Sequence, residues 1–314
     1  MMISTWIFCR LTLFIPLKIL TALIIWLLVV VWGGGLLGCS KFTPIPESDY
    51  QQTDAIIQRV SNNIANAPLL DEVAKIDHSR LANRVGSRLA PTQVVMFHNK
   101  ALEVQLLQLN SLIAMELPIK LLVYQEATHG EVKLVWNDFN YVSQRYRLGQ
   151  QVELAQQYEQ SLVAAMKGVD QSVMSPLTLT RIDESALITL SSEMDFESTL
   201  KRAVNIARDN KDVIVFDIID FQDIARDYGV SLPKVTLVLF GAPGPGGRAM
   251  KASQSLGLDG FPQKVLVWND NQGNTHVTYN ELLLLANRHR APINTALRVI
   301  QRRMDKAFKR SFHH

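Results

Sequence analysis

The chain repeats itself at a spacing of about 143 residues, and this duplication restricts its fold more than any other feature. The same marks occur in the same order in both halves. They are Ile76-Asp77 and Ile219-Asp220, Ala82 and Ala225, Gly86 and Gly229, Phe97 and Phe240, the segments Pro118 to Tyr124 and Pro262 to Trp268, Asn137 and Asn280, and Arg145 and Arg288. An ordered set of this kind predicts two copies of one small domain.

Several of these marks resemble a known bacterial family. They are Ile76-Asp77-His78, the Phe-Gly-x-Pro segment from Phe240 to Pro243, the strand from Pro262 to Trp268, and the pairs Tyr279-Asn280 and Arg288-His289. Together they resemble the family called domain of unknown function 302, over most of residues 50–310. The resemblance implies a small α+β domain that pairs with a second copy, and it implies no activity.

The first copy departs from the family pattern at two places. It has Phe97-His-Asn-Lys100 where the family has a glycine-rich loop, and Trp136-Asn137 in place of Tyr-Asn. A function that depends on this loop is therefore expected in the second copy, with the first copy as its structural partner.

Length and charge agree with two folded domains. A chain of 314 residues with 47% hydrophobic residues can bury two cores of roughly 110 to 130 residues each. Of its 32 basic residues, Arg10 and Lys18 lie in residues 1–39, which contain no acid, so the remainder has 30 basic and 29 acidic residues. Such a nearly neutral body is not expected to bind nucleic acid.

The first 39 residues are typical of an export signal or a membrane anchor. Ile19 to Leu37 is uncharged and apolar, and it follows Arg10 and Lys18. It ends at Leu36-Leu37-Gly38-Cys39, which resembles the bacterial lipobox, so Cys39 is predicted to carry a lipid, and Ser40 after it favours the outer membrane. The alternative is an uncleaved anchor, since 19 apolar residues can cross a bilayer of about 30 Å. Both alternatives place the body outside the cytoplasmic membrane.

Residues after Cys39 offer little for redox or metal chemistry. Cys9 and Cys39 are the two cysteines of the chain, so a disulfide or a thiolate site is excluded beyond residue 39. The histidines have no metal-binding spacing, and we expect neither a metal site nor a cofactor.

The predicted domain organisation follows the duplication. We expect a tether at residues 40–49, a divergent first repeat at 50–167, a linker at 168–182 and a second repeat at 183–314. The fold class is α+β, with two mixed-sheet domains packed as a pseudo-dimer. The first repeat lacks a recognisable first strand, so we expect the second repeat to cover the exposed edge of its sheet.

The duplicated polar marks have a structural interpretation that we favour over a catalytic one. Asp77 and Asp220 precede predicted helices, as do Asn137 and Asn280, and residues of these types accept hydrogen bonds from the free amides of a first helical turn. Lys120 and Lys264 begin predicted strands, where a lysine can extend its ammonium to water.

Gly241 to Gly247 is the segment that most suggests ligand binding. Its glycines, including Gly244 and Gly246, allow close approach of the backbone, and Arg248 follows at a predicted helix start. Free amides beside an arginine can bind a carboxylate or a phosphate. An ordinary tight or mobile surface loop is the interpretation that we favour over a binding site.

A site would form if the second and third strands of a repeat ran parallel. One end of the second sheet would then collect Asp220, the Gly241 loop, Lys264 and Asn280, and the first sheet would collect Asp77, His98, Lys120 and Asn137. The C-terminal helix, near residues 293–312, is basic along one face and could contact anionic lipid headgroups.

Two functions are consistent with these features. The first is an exported, membrane-anchored binding or accessory protein without a catalytic site, which could bind a small anionic ligand. The alternative is a hydrolase or lyase acting on a small polar or anionic substrate through Asp220, Lys264 and Asn280. Convergence of these side chains in a cleft would favour the enzyme, whereas their use in helix caps would favour the binding protein.

Overall fold

The structure is a computed structural model that describes residues 42–127, 129–177 and 186–312. Residues from Pro44 onward fall into one compact unit. The predicted signal or anchor, with Cys39, therefore lies outside the described residues. Among the helices that are described, none is both long and apolar enough to span a bilayer.

The first repeat alternates helices with an antiparallel sheet. In chain order it contains α1 (Gln51–Ala65), β1 (Asp71–Asp77), α2 (His78–Arg84), β2 (Thr92–His98), α3 (Lys100–Leu109), a 3₁₀ helix (Ser111–Met115), β3 (Ile119–Gln125), β4 (Val132–Trp136), α4 (Phe139–Tyr146), α5 (Val152–Ala165) and β5 (Met174–Pro176). The apolar stripe predicted for α1 is the buried side of that helix, formed by Ile57, Val60 and Ile64.

The second repeat has the same order of elements after one additional strand. It contains β6 (Leu187–Ser192), α6 (Phe196–Arg208), β7 (Ile214–Asp220), α7 (Phe221–Asp227), β8 (Val235–Gly241), α8 (Pro243–Met250), a 3₁₀ helix (Gln254–Gly257), β9 (Gln263–Asn269), β10 (Thr275–Asn280), α9 (Leu282–Arg288) and α10 (Thr295–Ser311). Helices α1 and α6 correspond to each other, as do α5 and α10. The duplication therefore extends from the sequence to the fold.

Each repeat contains one five-stranded sheet. The strand orders are β1-β2-β3-β4-β5 and β6-β10-β9-β8-β7. Strands β1 and β2 are antiparallel, and so are β7 and β8, because the short helix between them simply reverses the chain. The parallel arrangement that a convergent site required is therefore not present.

The edge of the first sheet is covered differently from our prediction. Strand β5, which lies in the predicted linker, pairs in parallel with β4 between Leu134 and Trp136. In the second repeat the same position is taken by β6, which pairs antiparallel with β10. The segment that joins the repeats therefore covers the edge that we expected the second repeat to cover.

The two sheets share a hydrophobic core, as expected for a pseudo-dimer. Alternate residues of β8 point to opposite faces of the sheet. Leu237 and Leu239 join a cluster that contains most of the first repeat's core, including Leu122, whereas Val238 and Phe240 pack with helices of their own repeat. Each sheet is thus buried by its own helices on one face and by the other repeat on the opposite face.

Candidate functional site

Asp77 and Asp220 cap helices, as the structural interpretation predicted. The Asp77 carboxylate accepts a hydrogen bond from the Arg80 amide at 2.7 Å, and that of Asp220 accepts from the amides of Gln222 and Asp223 at 2.9 and 3.1 Å. These contacts satisfy amides in the first turns of α2 and α7.

Asp220 is also far from the other residues proposed for the second-repeat site. It pairs with Thr236 at the start of β8, whereas Lys264 pairs with Leu239 near the end of that strand. Asp77 likewise pairs with Gln93 at the start of β2. Both aspartates therefore lie at the end of their sheet opposite the lysines, so Asp220, Lys264 and Asn280 do not converge.

From Pro243 onward the glycine-rich segment is a helix rather than the loop that we predicted, while Gly241 ends β8. Helix α8 begins at Pro243, which suits a first helical position because it has no amide hydrogen to leave unpaired. A Cβ atom at Gly247 would lie 2.5 Å from Ala82 Cβ in the first repeat, and one at Gly244 would lie 3.4 Å from Val85 Cγ2. These glycines therefore allow α8 to pack closely against α2 of the other repeat.

Gly241 and Gly246 pack within the second repeat. A Cβ atom at Gly241 would lie 3.2 Å from the Phe216 ring, and one at Gly246 would lie 3.5 Å from the Phe261 ring. Arg248 lies inside α8 rather than at its start, and it is exposed. Neither the glycines nor Arg248 forms the predicted open anion-binding loop.

Lys120 and Lys264 are buried, contrary to the prediction that they reach water. Lys264 is 1% exposed, and its Nζ donates to the carbonyl oxygens of Met115 and Leu117 at 3.0 and 2.7 Å. Both acceptors belong to the first repeat. Burial, together with the nearby Lys120, lowers the pKa of Lys264 well below its ordinary value.

Asn137 and Asn280 each accept a hydrogen bond from an arginine of the opposite repeat. Arg288 of the second repeat donates to Asn137 Oδ1 at 2.8 Å, and Arg145 of the first repeat donates to Asn280 Oδ1 at 2.8 Å. Asn137 Nδ2 also donates to Asp259 Oδ1 at 2.7 Å. The predicted capping of the following helices falls instead to Asp138, which caps α4, while Glu281 before α9 makes no side-chain cap.

Two buried acids, Glu116 and Asp259, lie beside these arginines and asparagines. The sequence-based prediction missed both. Glu116 pairs with Arg145 in the first repeat, and Asp259 pairs with Arg288 in the second. Lys120 Nζ lies 3.5 Å from a carboxylate oxygen of each acid. Glu116 and Asp259 are also 143 residues apart, so the spacing of the duplication was a signal that could have found them.

The surrounding cations favour the ionised form of both acids although they are buried. Burial opposes ionisation of Asp259, but Arg288, His289 and Lys120 together hold the pKa of its carboxyl well below the ordinary value. Burial similarly opposes ionisation of Glu116, while Lys120 and Arg145 lower its pKa. Because Lys120 of the first repeat lies beside Asp259 of the second, these buried charges also connect the two repeats.

We define the interface cluster as Glu116, Lys120, Asn137, Arg145, Asp259, Lys264, Asn280, Arg288 and His289. All nine are buried. Over the described ranges, there is also no group of three or more His, Cys, Asp or Glu side chains that could hold a metal ion. Apart from Asp77 and Asp220, which cap helices, the polar residues that the duplication marks thus belong to the contact between the repeats.

A different region of the second repeat has the shape of a binding site. A cleft of about 460 Å³ lies between α6, the segment that joins α6 to β7, the end of β8 and α10. Apolar atoms of Ile206, Phe240, Met304 and Phe308 line it. A volume of this size is typical of small-molecule sites.

Basic side chains contribute to the same lining. Arg202 comes from α6, and Arg303, Lys306 and Arg310 come from α10. The Arg303 guanidinium donates two hydrogen bonds of 2.8 Å to the Asp212 carboxylate. The basic C-terminal helix predicted from the sequence therefore forms one wall of a cleft as well as a solvent-exposed face.

In the first repeat the corresponding helices, α1 and α5, are joined by hydrogen bonds. Asn63 of α1 donates to the carbonyl oxygens of Ala165 and Lys167 at the end of α5, at 2.9 and 2.8 Å. The residue 143 positions later is Ile206, which lines the cleft and whose apolar side chain cannot form these bonds. The first repeat thus has a polar side chain that joins its two helices, whereas the second repeat has an apolar side chain that lines a cleft at the same position.

Known proteins match the chain in part. It is 32% identical over 111 residues to proteins called Fluoride-specific ion channel FluC 1 from Brucella suis biovar 1 and Brucella abortus biovar 1. The match covers 35% of this chain and 43% and 40% of those relatives, so the chain spans less than half of their length. A crystal structure of a DUF302 protein from Bacillus stearothermophilus has 15% sequence identity and a TM-score of 0.37, covering 40% of this chain and 98% of the other.

The family match is more extensive. Domain of unknown function DUF302 matches residues 47–169 and again residues 188–310. The two matches coincide with the two structural repeats, each with its sheet and flanking helices, and together they cover most of the chain. This protein is therefore a member of the DUF302 family that contains two copies of the domain in tandem.

Proposed function

We propose that this chain is a binding protein of the cell envelope, with a structural first repeat and a ligand-binding second repeat. The observation that carries the proposal is the cleft between α6 and α10, whose counterpart helices in the first repeat are joined by Asn63. Divergence of one copy at the same place is expected when one repeat binds a ligand and the other supports it.

The placement of the duplicated polar residues supports binding rather than catalysis. Lys264 and Asn280 are buried and bonded to the first repeat, and Asp220 caps α7. A general acid or base must come within hydrogen-bonding reach of its substrate. Residues held in this way are suited to fixing the two domains together.

The envelope location rests on the sequence and on one feature of the relatives. The apolar segment from Ile19 to Leu37 and the lipobox-like Cys39 favour lipid attachment after export, or an uncleaved anchor. The relatives named as ion channels share 111 residues with this chain, about the length of one repeat. An accessory domain beside a membrane is consistent with both observations.

A neutral dye that fluoresces in apolar surroundings, such as Nile red, tests the binding site. Residues 44–314 form a compact unit and can be produced alone for this measurement. Ala307 lines the cleft, and its first-repeat counterpart is Ala164. We expect Ala307→Trp to fill the cleft and to reduce dye binding about tenfold or more, which corresponds to about 1.4 kcal/mol.

Ala164→Trp is the matched control, because it adds the same side chain to the equivalent helix of the first repeat. It should leave dye binding within about twofold, a difference of less than 0.5 kcal/mol. Circular dichroism of both variants checks that the fold is kept. Equal binding by the wild type and Ala307→Trp would refute a ligand site in this cleft.

The location has its own test. Cys39→Ala should abolish incorporation of labelled fatty acid and leave an unprocessed precursor in the membrane. A wild-type protein that is never labelled and keeps Met1 would favour the uncleaved anchor, and a protein recovered without membrane would contradict the envelope proposal.

A further inference from the structure

The side chains that line the cleft carry more positive than negative charge. Among its basic residues, Arg303 is paired with Asp212, whereas Arg202, Lys306 and Arg310 have no ion pair within the described residues. Asp209 is the acid that lines the same cleft. With three cations and one carboxylate, the lining of the cleft has an excess of positive charge.

The inner wall of the cleft is apolar. Phe240 and Phe308 are 5% and 1% exposed, and Met304 is 6% exposed beside them. Gln263 also lines the cleft, and its Nε2 donates to Met304 Sδ at 3.2 Å. An occupant therefore meets hydrocarbon at the floor and cations at the rim.

From this arrangement we propose that the second repeat binds a single-chain amphiphile with an anionic head, of the fatty-acid type, with its chain against Phe240 and Phe308 and its head beside Arg202 and Arg310. This inference rests on the proposed function, because it names the ligand of the same cleft. Burial of a hydrocarbon chain supplies affinity in proportion to the area removed from water. Arginine pairs with a carboxylate or phosphate through charge-assisted hydrogen bonds.

The position of the cations favours a bound head group over general contact with a charged surface. Arg298 and Arg302 lie on the same helix α10 and do not line the cleft. If α10 simply lay on an anionic bilayer, these two arginines would contribute as much as Arg202 and Arg310. The two sets of arginines therefore distinguish a bound amphiphile from a membrane surface.

Photolabelling of the full chain in phosphatidylcholine vesicles tests the proposal. The probes are a photoreactive palmitic acid and the corresponding photoreactive alcohol, and mass spectrometry locates their adducts. We expect the acid to label peptides from α6 and α10 about tenfold more than the alcohol, since the charged head is worth about a factor of ten. Arg202→Glu combined with Arg310→Glu should reduce labelling by the acid about tenfold.

Three controls make each outcome decisive. Arg298→Glu combined with Arg302→Glu changes the net charge by the same amount, with both substitutions on α10, and should leave labelling within about twofold. Equal loss in this control would overturn the bound amphiphile in favour of a membrane contact. Equal labelling by the acid and the alcohol, with both blocked by Ala307→Trp, would overturn the anionic head and leave the cleft as a binding site. Labelling by either probe that Ala307→Trp does not reduce would contradict the proposed function itself.

Discussion

Asp259 connects the two repeats through one carboxylate. It accepts from Asn137 of the first repeat at 2.7 Å, pairs with Arg288 of its own repeat, and lies 2.8 Å from His289 Nε2. Its side chain is 1% exposed. Removing one member of such a buried set leaves the other charges without compensation, so the loss exceeds what the pair contributes on balance.

Asp259→Asn should therefore destabilise the protein strongly although it barely changes side-chain volume. We expect the free energy of unfolding to fall by about 3–5 kcal/mol, as for other broken buried ion pairs. Urea denaturation of residues 44–314 measures it. Asp223→Asn is the control, since Asp223 pairs with Arg226 at the surface, with side chains 69% and 70% exposed, and should change stability by about 0.5 kcal/mol or less. Equal effects of the two substitutions would contradict the structural role of the interface cluster.

His78 makes stability depend on pH. Its ring is buried against the second repeat, and its Nε2 has no hydrogen-bond partner in the described structure. Burial lowers its pKa to about 4 from an ordinary 6.5, although a backbone hydrogen bond with Phe261 opposes the shift. The unfolded chain therefore binds more protons between these two values, and stability is lost as the pH falls from about 6.5 to about 4.

His78→Gln removes this titration. Between pH 7 and pH 4 the free energy of unfolding should fall less in the variant than in the wild type. The difference should reach up to about 3 kcal/mol, because each unit of pKa shift is worth about 1.4 kcal/mol. Urea denaturation at a series of pH values measures the difference. His276→Gln, in the hairpin after β9, controls for removal of a histidine from a partly exposed position. A pH dependence that is identical in His78→Gln and the wild type would show that His78 does not titrate in this range.

At the scale of single elements, α8 shows how tertiary contacts overrule local preference. Glycine and proline favour turns, which is why the sequence predicted a loop from Gly241 to Gly247. The segment folds as a helix because Pro243 fits its first position and Gly247 admits the close approach of Ala82. Information about that approach lies in the other repeat, 165 residues earlier, and no local pattern contains it.

Gly247→Ala tests this packing. The added Cβ would lie 2.5 Å from Ala82 Cβ, so α2 and α8 must separate. Overpacking of this kind costs about 1–3 kcal/mol, measurable by urea denaturation. Ala82→Gly in the same chain should restore part of the loss, since it removes the clashing atom. Gly246→Ala provides a control in the same helix, because its Cβ would be 3.5 Å from the Phe261 ring in ordinary contact, and alanine favours a helix over glycine by about 1 kcal/mol. Destabilisation by Gly246→Ala equal to that by Gly247→Ala would contradict this account.

For the molecule as a whole, the duplication predicted more than the individual motifs did. The spacing of Asn137 and Asn280, or of Arg145 and Arg288, predicted two copies that pack together, and the order of helices and strands followed from apolar periodicity. The direction of the second and third strands could not be predicted, because a connection of the length between Asp77 and Thr92 can join either arrangement. The burial of Lys264 could not be predicted, since its acceptors, the carbonyls of Met115 and Leu117, belong to the other repeat.

Separating the repeats tests how far each depends on the other. A second repeat alone, residues 186–312, would expose Leu237, Leu239 and Leu266, which now belong to a cluster shared with the first repeat, and would deprive Lys264 of both carbonyl acceptors. An exposed apolar face of this kind promotes association. We expect the isolated second repeat to unfold or to self-associate, and the first repeat, residues 44–177, to convert it into a one-to-one complex when the two are produced together. Size-exclusion chromatography with light scattering measures the masses, and circular dichroism measures the folding. A monomeric second repeat that unfolds cooperatively by itself would contradict this prediction, because the shared core and the interface cluster would then be dispensable for its stability.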